Sequence, residues 1–216
     1  MKQTLYVILA TSILCLMIAM PAFATKAGEI KDNIYTDTDY KFSFKIPDGW
    51  GTDVKSSKSA IRISMTQNSA PVPQQFQSGG QDYAQVPTLS VFVDTTSVTA
   101  DQFIKNLTDP KFKSEQKKYF MQKLTIISKP FEVQKEKDVT IANAIAKAVE
   151  YKQRYTVEIN EAGSDKANIV TDYKGGSLFA AVRDGKIYLF HIVYEYQYNA
   201  QYMGIFNAVT SSFKLQ

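Results

Sequence analysis

The feature that most constrains the fold is a pair of apolar segments separated by Asp184-Gly185. Residues 178–182 and 187–193 are apolar at nearly every position, so each predicted strand has hydrophobic side chains on both faces. An Asp-Gly pair favours the two-residue type I′ turn, which predicts a β-hairpin centred on Arg183 to Lys186. Strands that are apolar on both faces need cover on both faces. The sequence therefore predicts a sheet that lies between two helical layers.

A second informative stretch runs from Tyr40 to Trp50. Apolar and polar residues alternate as far as Ile46, which is the period of a half-buried strand. Pro47-Asp48-Gly49 then predicts a tight turn. Trp50 is the only tryptophan in the chain and is expected to be buried. The predicted core contains Phe42, Phe44, Trp50, Phe92, Phe103, Leu189, Phe206 and Phe213.

Periodicity predicts most of the remaining elements. Strands are expected over 60–66, 88–93, 124–136 and 144–159, and helices over 112–123 and 199–213. Another helix is expected to begin after Thr99, since Thr99 with Gln102 forms a capping box, and to end at Asp109-Pro110. In the strand over 60–66, Ile61, Ile63 and Met65 are predicted to share one face. The glycine pairs at 79–80 and 175–176 are interpreted as chain reversals.

The N-terminal segment predicts export. Residues 1–24 combine Lys2, an uncharged apolar run and Ala22-Phe23-Ala24, which is the pattern of a cleaved signal peptide. A membrane anchor and a lipid attached to Cys15 are the alternatives. Residues 25–33 are predicted to form a flexible leader and residues 34–216 a single domain. The expected location is periplasmic or extracellular in a bacterium, with no membrane span after cleavage.

Composition argues against several classes of chemistry. Cys15 is the only cysteine and His191 the only histidine, so the mature chain has no disulfide and no conventional zinc site. His191 falls in the middle of a predicted strand and is interpreted as a hydrogen-bonded core residue. Asp37 and Asp39 are interpreted as a solvated turn, with a weak cation site as the alternative. No catalytic residue, metal ligand or cofactor is predicted. The basic residues are dispersed, which argues against nucleic-acid binding.

The candidate contact residues lie in two regions. The segment from Gln67 to Pro87 is too long for a simple connector, and its aromatics Phe76 and Tyr83 are possible anchors for a partner. An insertion without function is the alternative. The second region is a tyrosine cluster formed by Tyr194, Tyr196 and Tyr198, which is able to bind a partner or to stack on sugars.

The motifs together resemble the PsbP-like family. The resemblance rests on Tyr40 to Trp50, on Gly185-Lys186-Ile187-Tyr188 and on the terminal helix that reaches Ser212-Phe213. It implies an α+β fold with a mainly antiparallel sheet sandwiched between helices, an α/β/α sandwich, and no known catalysis. It further implies a secreted accessory or assembly protein that binds another protein of the bacterial envelope. A carboxylate-based hydrolase or a carbohydrate-binding protein is the alternative function.

Overall fold

The computed structural model describes residues 25–78, 81–82, 84–123, 131–141, 144–160 and 167–216. The predicted signal peptide, Tyr83, the Gly79-Gly80 pair and residues 124–130 lie outside these ranges. The strands are β1 Gly28–Lys31, β2 Ile34–Asp37, β3 Phe42–Lys45, β4 Gly51–Val54, β5 Ile61–Thr66, β6 Gln77–Ser78, β7 Gln81–Asp82, β8 Thr88–Thr95, β9 Glu132–Ile141, β10 Ala144–Asn160, β11 Ala167–Arg183, β12 Lys186–Glu195 and β13 Lys214–Leu215. The helices are α1 Ala100–Thr108, α2 Glu115–Lys123 and α3 Asn199–Ser211.

Seven strands form the main sheet, in the order β4-β5-β8-β12-β11-β10-β9, and every neighbouring pair is antiparallel. The predicted hairpin is confirmed, since Arg183 pairs with Lys186 across the turn. Asp184 and Gly185 have φ values of 51° and 68°, as a type I′ turn requires. The predicted α+β class with a mainly antiparallel sheet is therefore confirmed.

Each face of the main sheet is covered by different elements. On one face, α1 and Phe120 of α2 pack over Leu178, Ala180 and Leu189. On the other face, α3 and a four-stranded sheet, β1-β2-β3-β13, pack over Phe179 and Phe190. The alternation of side chains along β11 and β12 thus supplies both cores at once. All eight residues of the predicted core are buried.

The N-terminal residues differ from the flexible leader that the sequence predicted for 25–33. Gly28 to Lys31 form β1, which pairs antiparallel with β2. Ala27 is fully buried, and its backbone N–H donates to the carbonyl of Lys55 at 2.8 Å. Backbone pairing orders this polar stretch, and backbone pairing requires no apolar side chains.

The first helix has its predicted N-cap, whereas the second helix begins later than predicted. The N-cap of α1 is confirmed, because the Thr99 hydroxyl accepts the Gln102 backbone N–H at 3.2 Å. The second helix begins at Glu115 instead of Phe112, after Ser114, whose hydroxyl accepts the Lys117 backbone N–H. Phe112 therefore lies before the helix and is 37% exposed, whereas Phe120 is buried as predicted.

The strand over 60–66 contains a β-bulge that the alternation of its sequence does not reveal. Ile61 pairs with Phe92 and Ile63 with Val91, so Arg62 is the inserted residue. Ile61 consequently packs beneath α1, whereas Ile63 and Met65 pack on the opposite face. The prediction that all three share one face is wrong, because a bulge reverses the side-chain alternation.

The bulge directs Arg62 into the fold, where it meets Asp37. Both side chains are at most 1% exposed, and Arg62 Nε lies 2.7 Å from Asp37 Oδ2. Asp39 accepts a further bond from the same guanidinium. Asp37 is therefore a buried ion-pair partner and not part of a solvated turn, and the arginine occupies the place that a cation would take.

Candidate functional site

The end of the main sheet where β10, β11 and β12 meet the segment 67–87 is the candidate site. The segment leaves and rejoins the sheet at neighbouring points, since the Gln67 N–H donates to the Pro87 carbonyl at 3.1 Å. Phe76 is fully buried and stacks on Tyr155 of β10, with ring centroids 5.7 Å apart. The long segment is thus packed onto the sheet by one of its own aromatic residues.

Glu195, at the end of β12, holds the returning part of this segment. Glu195 is only 3% exposed. One carboxylate oxygen accepts a hydrogen bond from the Gln85 backbone N–H, and the other accepts one from the Tyr155 hydroxyl at 2.7 Å. Lys174 completes the network: its ammonium donates to the Gln85 side-chain oxygen at 2.8 Å and lies 4.8 Å from the Tyr155 ring centroid. Both carboxylate oxygens are occupied, so Glu195 serves as an anchor for the segment.

Burial shifts the pKa values of Glu195 and Lys174 in opposite directions. Desolvation raises the pKa of Glu195, and the hydrogen bonds from Gln85 and Tyr155 oppose that rise. Desolvation lowers the pKa of Lys174, against the attraction of Glu195. The attraction between Glu195 and Lys174 partly offsets the desolvation of both groups.

A second tyrosine on β10 bridges to β12 in the same way. The Tyr151 hydroxyl lies 2.6 Å from Nε2 of His191, which is 2% exposed. Burial lowers the pKa of His191 to about 3, so the ring is neutral at physiological pH. The interpretation of His191 as a hydrogen-bonded core residue is confirmed.

The Gly175-Gly176 pair lies in the middle of β11, so its interpretation as a chain reversal is wrong. A Cβ atom on Gly176 would stand 2.3 Å from the Tyr151 hydroxyl, and one on Gly175 would stand 2.4 Å from the Tyr194 ring. Tyr151 and Tyr194 cover opposite faces of the sheet, and each ring crosses the strand over a glycine. The two glycines provide the space for both rings.

Replacing Gly176 with alanine is expected to destabilise the protein by about 1–3 kcal/mol, because the new methyl group forces the Tyr151 ring from its place. Gly204 on α3 is the matched control, since a Cβ there meets nothing within 4 Å. Gly204→Ala is expected to leave stability unchanged or to raise it by up to about 1 kcal/mol. Urea unfolding of both variants measures the difference, and equal midpoints would contradict the role given to Gly176.

A pH dependence follows from His191. Its folded-state pKa lies below the ordinary value, so the unfolded chain takes up the proton first and stability falls as pH drops below about 6.5. Between about pH 6.5 and 5 the expected loss is about 1–2 kcal/mol, and the raised pKa of Glu195 acts in the opposite direction. Urea unfolding at about pH 7, 6 and 5 measures the slope. His191→Gln should flatten it, and an unchanged slope in that variant would rule out His191 as its source.

The opposite face of the sheet end also contacts the segment. Tyr194 is fully buried, stacks on Tyr202 of α3 with centroids 5.0 Å apart, and donates to Asn199 at 2.6 Å. The Tyr202 hydroxyl donates to the Gln67 side chain at 2.9 Å. The sequence analysis predicted the tyrosine cluster and the segment 67–87 as two separate regions. In the structure they meet at one end of the sheet.

The solvent-accessible part of this end consists of Lys152, Tyr173, Tyr196 and Tyr198, which we call the sheet-end surface. The Lys152 ammonium lies 4.7 Å from the Tyr173 ring centroid and 5.9 Å from that of Tyr196. It also pairs with Glu132 of the edge strand β9 at 3.4 Å. The Lys152 side chain is 27% exposed, and the three tyrosines are partly exposed.

The predicted contact residues thus have different positions. Tyr196 and Tyr198 lie on the sheet-end surface, Phe76 and Tyr194 are buried within the fold, and Tyr83 lies outside the described residues. Sequence reasoning missed the anchors Tyr155, Lys174 and Glu195. Of these three, only Tyr155 had a signal, since the alternation along β10 places Tyr151 and Tyr155 on one face without indicating what they contact.

The described residues offer few groups for a metal site or for a catalytic pair of carboxylates. No group of three or more potential metal ligands occurs among them. Four surface cavities lined by these residues contain at most one carboxylate side chain each. No helix within the described ranges is long and apolar enough to cross a membrane.

Comparison with known proteins gives a family match and several distant structural similarities. The solution structure of cyanobacterial PsbP (CyanoP) from Synechocystis sp. PCC 6803 is 14% identical, with 92% of this chain and 98% of that chain covered and a TM-score of 0.46. The crystal structure of LpqN, involved in cell envelope biogenesis of Mycobacterium tuberculosis, is 11% identical, with 82% and 83% covered and a TM-score of 0.46. No curated protein sequence matches the chain. The family model for PsbP matches residues 32–215.

Proposed function

Because this chain belongs to the PsbP family, we propose that it is a non-enzymatic accessory protein that is exported to the bacterial envelope and binds another envelope protein there. In this proposal the signal peptide is removed before Thr25, and the mature domain acts outside the cytoplasm. The main sheet, which α1 and α2 cover on one face and α3 with the four-stranded sheet on the other, supports the binding surface.

The observation that supports the proposal is the sheet-end surface. Tyrosine rings provide large contact area at low entropic cost, and they are enriched in protein interfaces. The rings of Tyr173, on β11, and Tyr196, in the 3-10 turn directly after β12, flank the Lys152 ammonium. A partner that presents a carboxylate beside an apolar patch would complement this arrangement.

The contacts of segment 67–87 also support a binding surface at this end of the main sheet. Gln67, Phe76 and Gln85 tie it to the sheet end on both faces. Residues that are tied to the sheet before binding contribute to an interface without the entropic cost of ordering a free loop. The hydrolase alternative has less support, because the buried carboxylate of Glu195 already accepts two hydrogen bonds within the fold.

The test is quantitative capture of envelope proteins by the mature chain, followed by measurement of the affinity for the captured protein. The double variant Tyr196→Ser/Tyr198→Ser is expected to weaken that affinity at least about tenfold, as hot-spot tyrosines do. Ile145→Ser is the matched control, since Ile145 is 77% exposed and lies on β10 outside the sheet-end surface.

Two outcomes would contradict the proposal. The first is an affinity that is the same for wild type, the double variant and Ile145→Ser, with unchanged melting temperatures. The second concerns export, which is read from the mass of the protein recovered from the envelope. A retained Met1 or a lipid on Cys15 would contradict cleavage before Thr25.

A further inference from the structure

A separate cavity lies between α1 and α2, away from the sheet end. Its volume is about 520 Å³, within the range of ~300–1,000 Å³ that is typical of small-molecule sites. Its lining combines five apolar residues with seven polar ones. The apolar residues that line it are Val98, Phe103, Leu107, Phe112 and Phe120.

One ammonium group faces this apolar lining. Lys117 of α2 donates to the backbone carbonyl of Asn106 at 3.2 Å and to that of Asp109, both at the C-terminal end of α1. These two acceptors hold the ammonium in place and use two of its three N–H groups. Partial burial lowers the pKa of Lys117, against the attraction of Asp109.

Gln116, another polar residue of this lining, is already engaged. The Gln116 amide donates to the Asp94 carboxylate at 3.0 Å and to the Thr95 carbonyl at 3.1 Å. Lys117 also borders a second, more open cavity of about 890 Å³, whose rim includes Lys113, Lys118 and a single acidic side chain, Glu115. The entrance beside Lys117 therefore has a positive balance of charge.

We propose that the cavity between α1 and α2 binds a single-chain amphipathic carboxylate, such as a medium-chain fatty acid. The carboxylate accepts a charge-assisted hydrogen bond from Lys117, and the chain lies along Phe103, Leu107 and Phe120. A neutral ligand of the same shape would fill the apolar part but leave the ammonium uncompensated, so the anionic form is preferred.

The experiment titrates the mature chain with decanoate and, separately, with decanol, and follows backbone amide shifts by NMR. Decanoate is expected to shift residues around Phe103, Leu107 and Lys117 and to bind more tightly than decanol. Lys117→Met should lower the affinity for decanoate at least about tenfold and leave the affinity for decanol nearly unchanged. Lys105→Met is the matched control, because the Lys105 side chain is 61% exposed on α1, lines neither cavity and should change neither affinity.

The wild-type titration decides the proposal even if Lys117→Met fails to fold. Decanoate shifts that map outside the cavity, or equal affinities for decanoate and decanol, would overturn it. Equal weakening of both ligands in a folded Lys117→Met variant would also overturn the assignment of the carboxylate to Lys117.

Discussion

Replacing Asp37 with alanine is expected to lower the free energy of unfolding by about 3–5 kcal/mol, because it removes the buried counter-charge of a buried guanidinium and leaves only the partly exposed Asp39. The Arg62 side chain is 1% exposed, and its charge is balanced mainly by Asp37 within hydrogen-bonding distance. Asp37 also accepts the Tyr35 hydroxyl at 2.9 Å and the Tyr40 N–H at 2.8 Å, so the variant loses these bonds too. Urea unfolding measures the change.

The control for this prediction is Asp53→Ala. Asp53 pairs with Lys55 on the surface, where its side chain is 64% exposed, so its loss is expected to cost less than about 1 kcal/mol. If Asp37→Ala were no more costly than Asp53→Ala, the buried pair would not stabilise the junction between the two sheets.

Replacing Trp50 with alanine is expected to cost about 3–5 kcal/mol, because it removes the largest side chain of the core beneath α3. Trp50 is 7% exposed and packs edge-to-face with Tyr202, whose centroid is 6.4 Å away. Its loss leaves a cavity beside the tyrosine that contacts Gln67. Far-ultraviolet circular dichroism follows the unfolding of this variant.

Trp50→Phe serves as the comparison, since it retains an aromatic ring and is expected to lose clearly less stability. The native protein offers a further check, because Trp50 is the only tryptophan and reports its own environment. Native emission at the wavelength of tryptophan in water would contradict the burial of Trp50.

The candidate site could be predicted only in part. The tyrosines of the sheet end were identified from their clustering near the end of β12, and two of them are accessible. The anchoring of the segment 67–87 was not predicted, because the contact between Gln85 and Glu195 joins residues 110 positions apart. Composition shows that such a segment is long and polar, but it does not show which strand holds it.

Local chemistry explains what the sequence by itself determined about this protein. The Asp184-Gly185 turn, the Thr99 cap and the alternation along β10 to β12 depend on neighbouring residues, so local patterns predict them. The same alternation also identified the core, because a strand with two apolar faces must be buried on both.

Only the tertiary structure decided where the polar residues inside the fold find their partners. The bulge at Arg62 directs this residue towards Asp37, and the glycines of β11 make room for tyrosines that bridge β10 and β12. A buried polar group is tolerated only when a partner lies within hydrogen-bonding distance. Those distances are set by strand order and register, which depend on the packing of the whole chain.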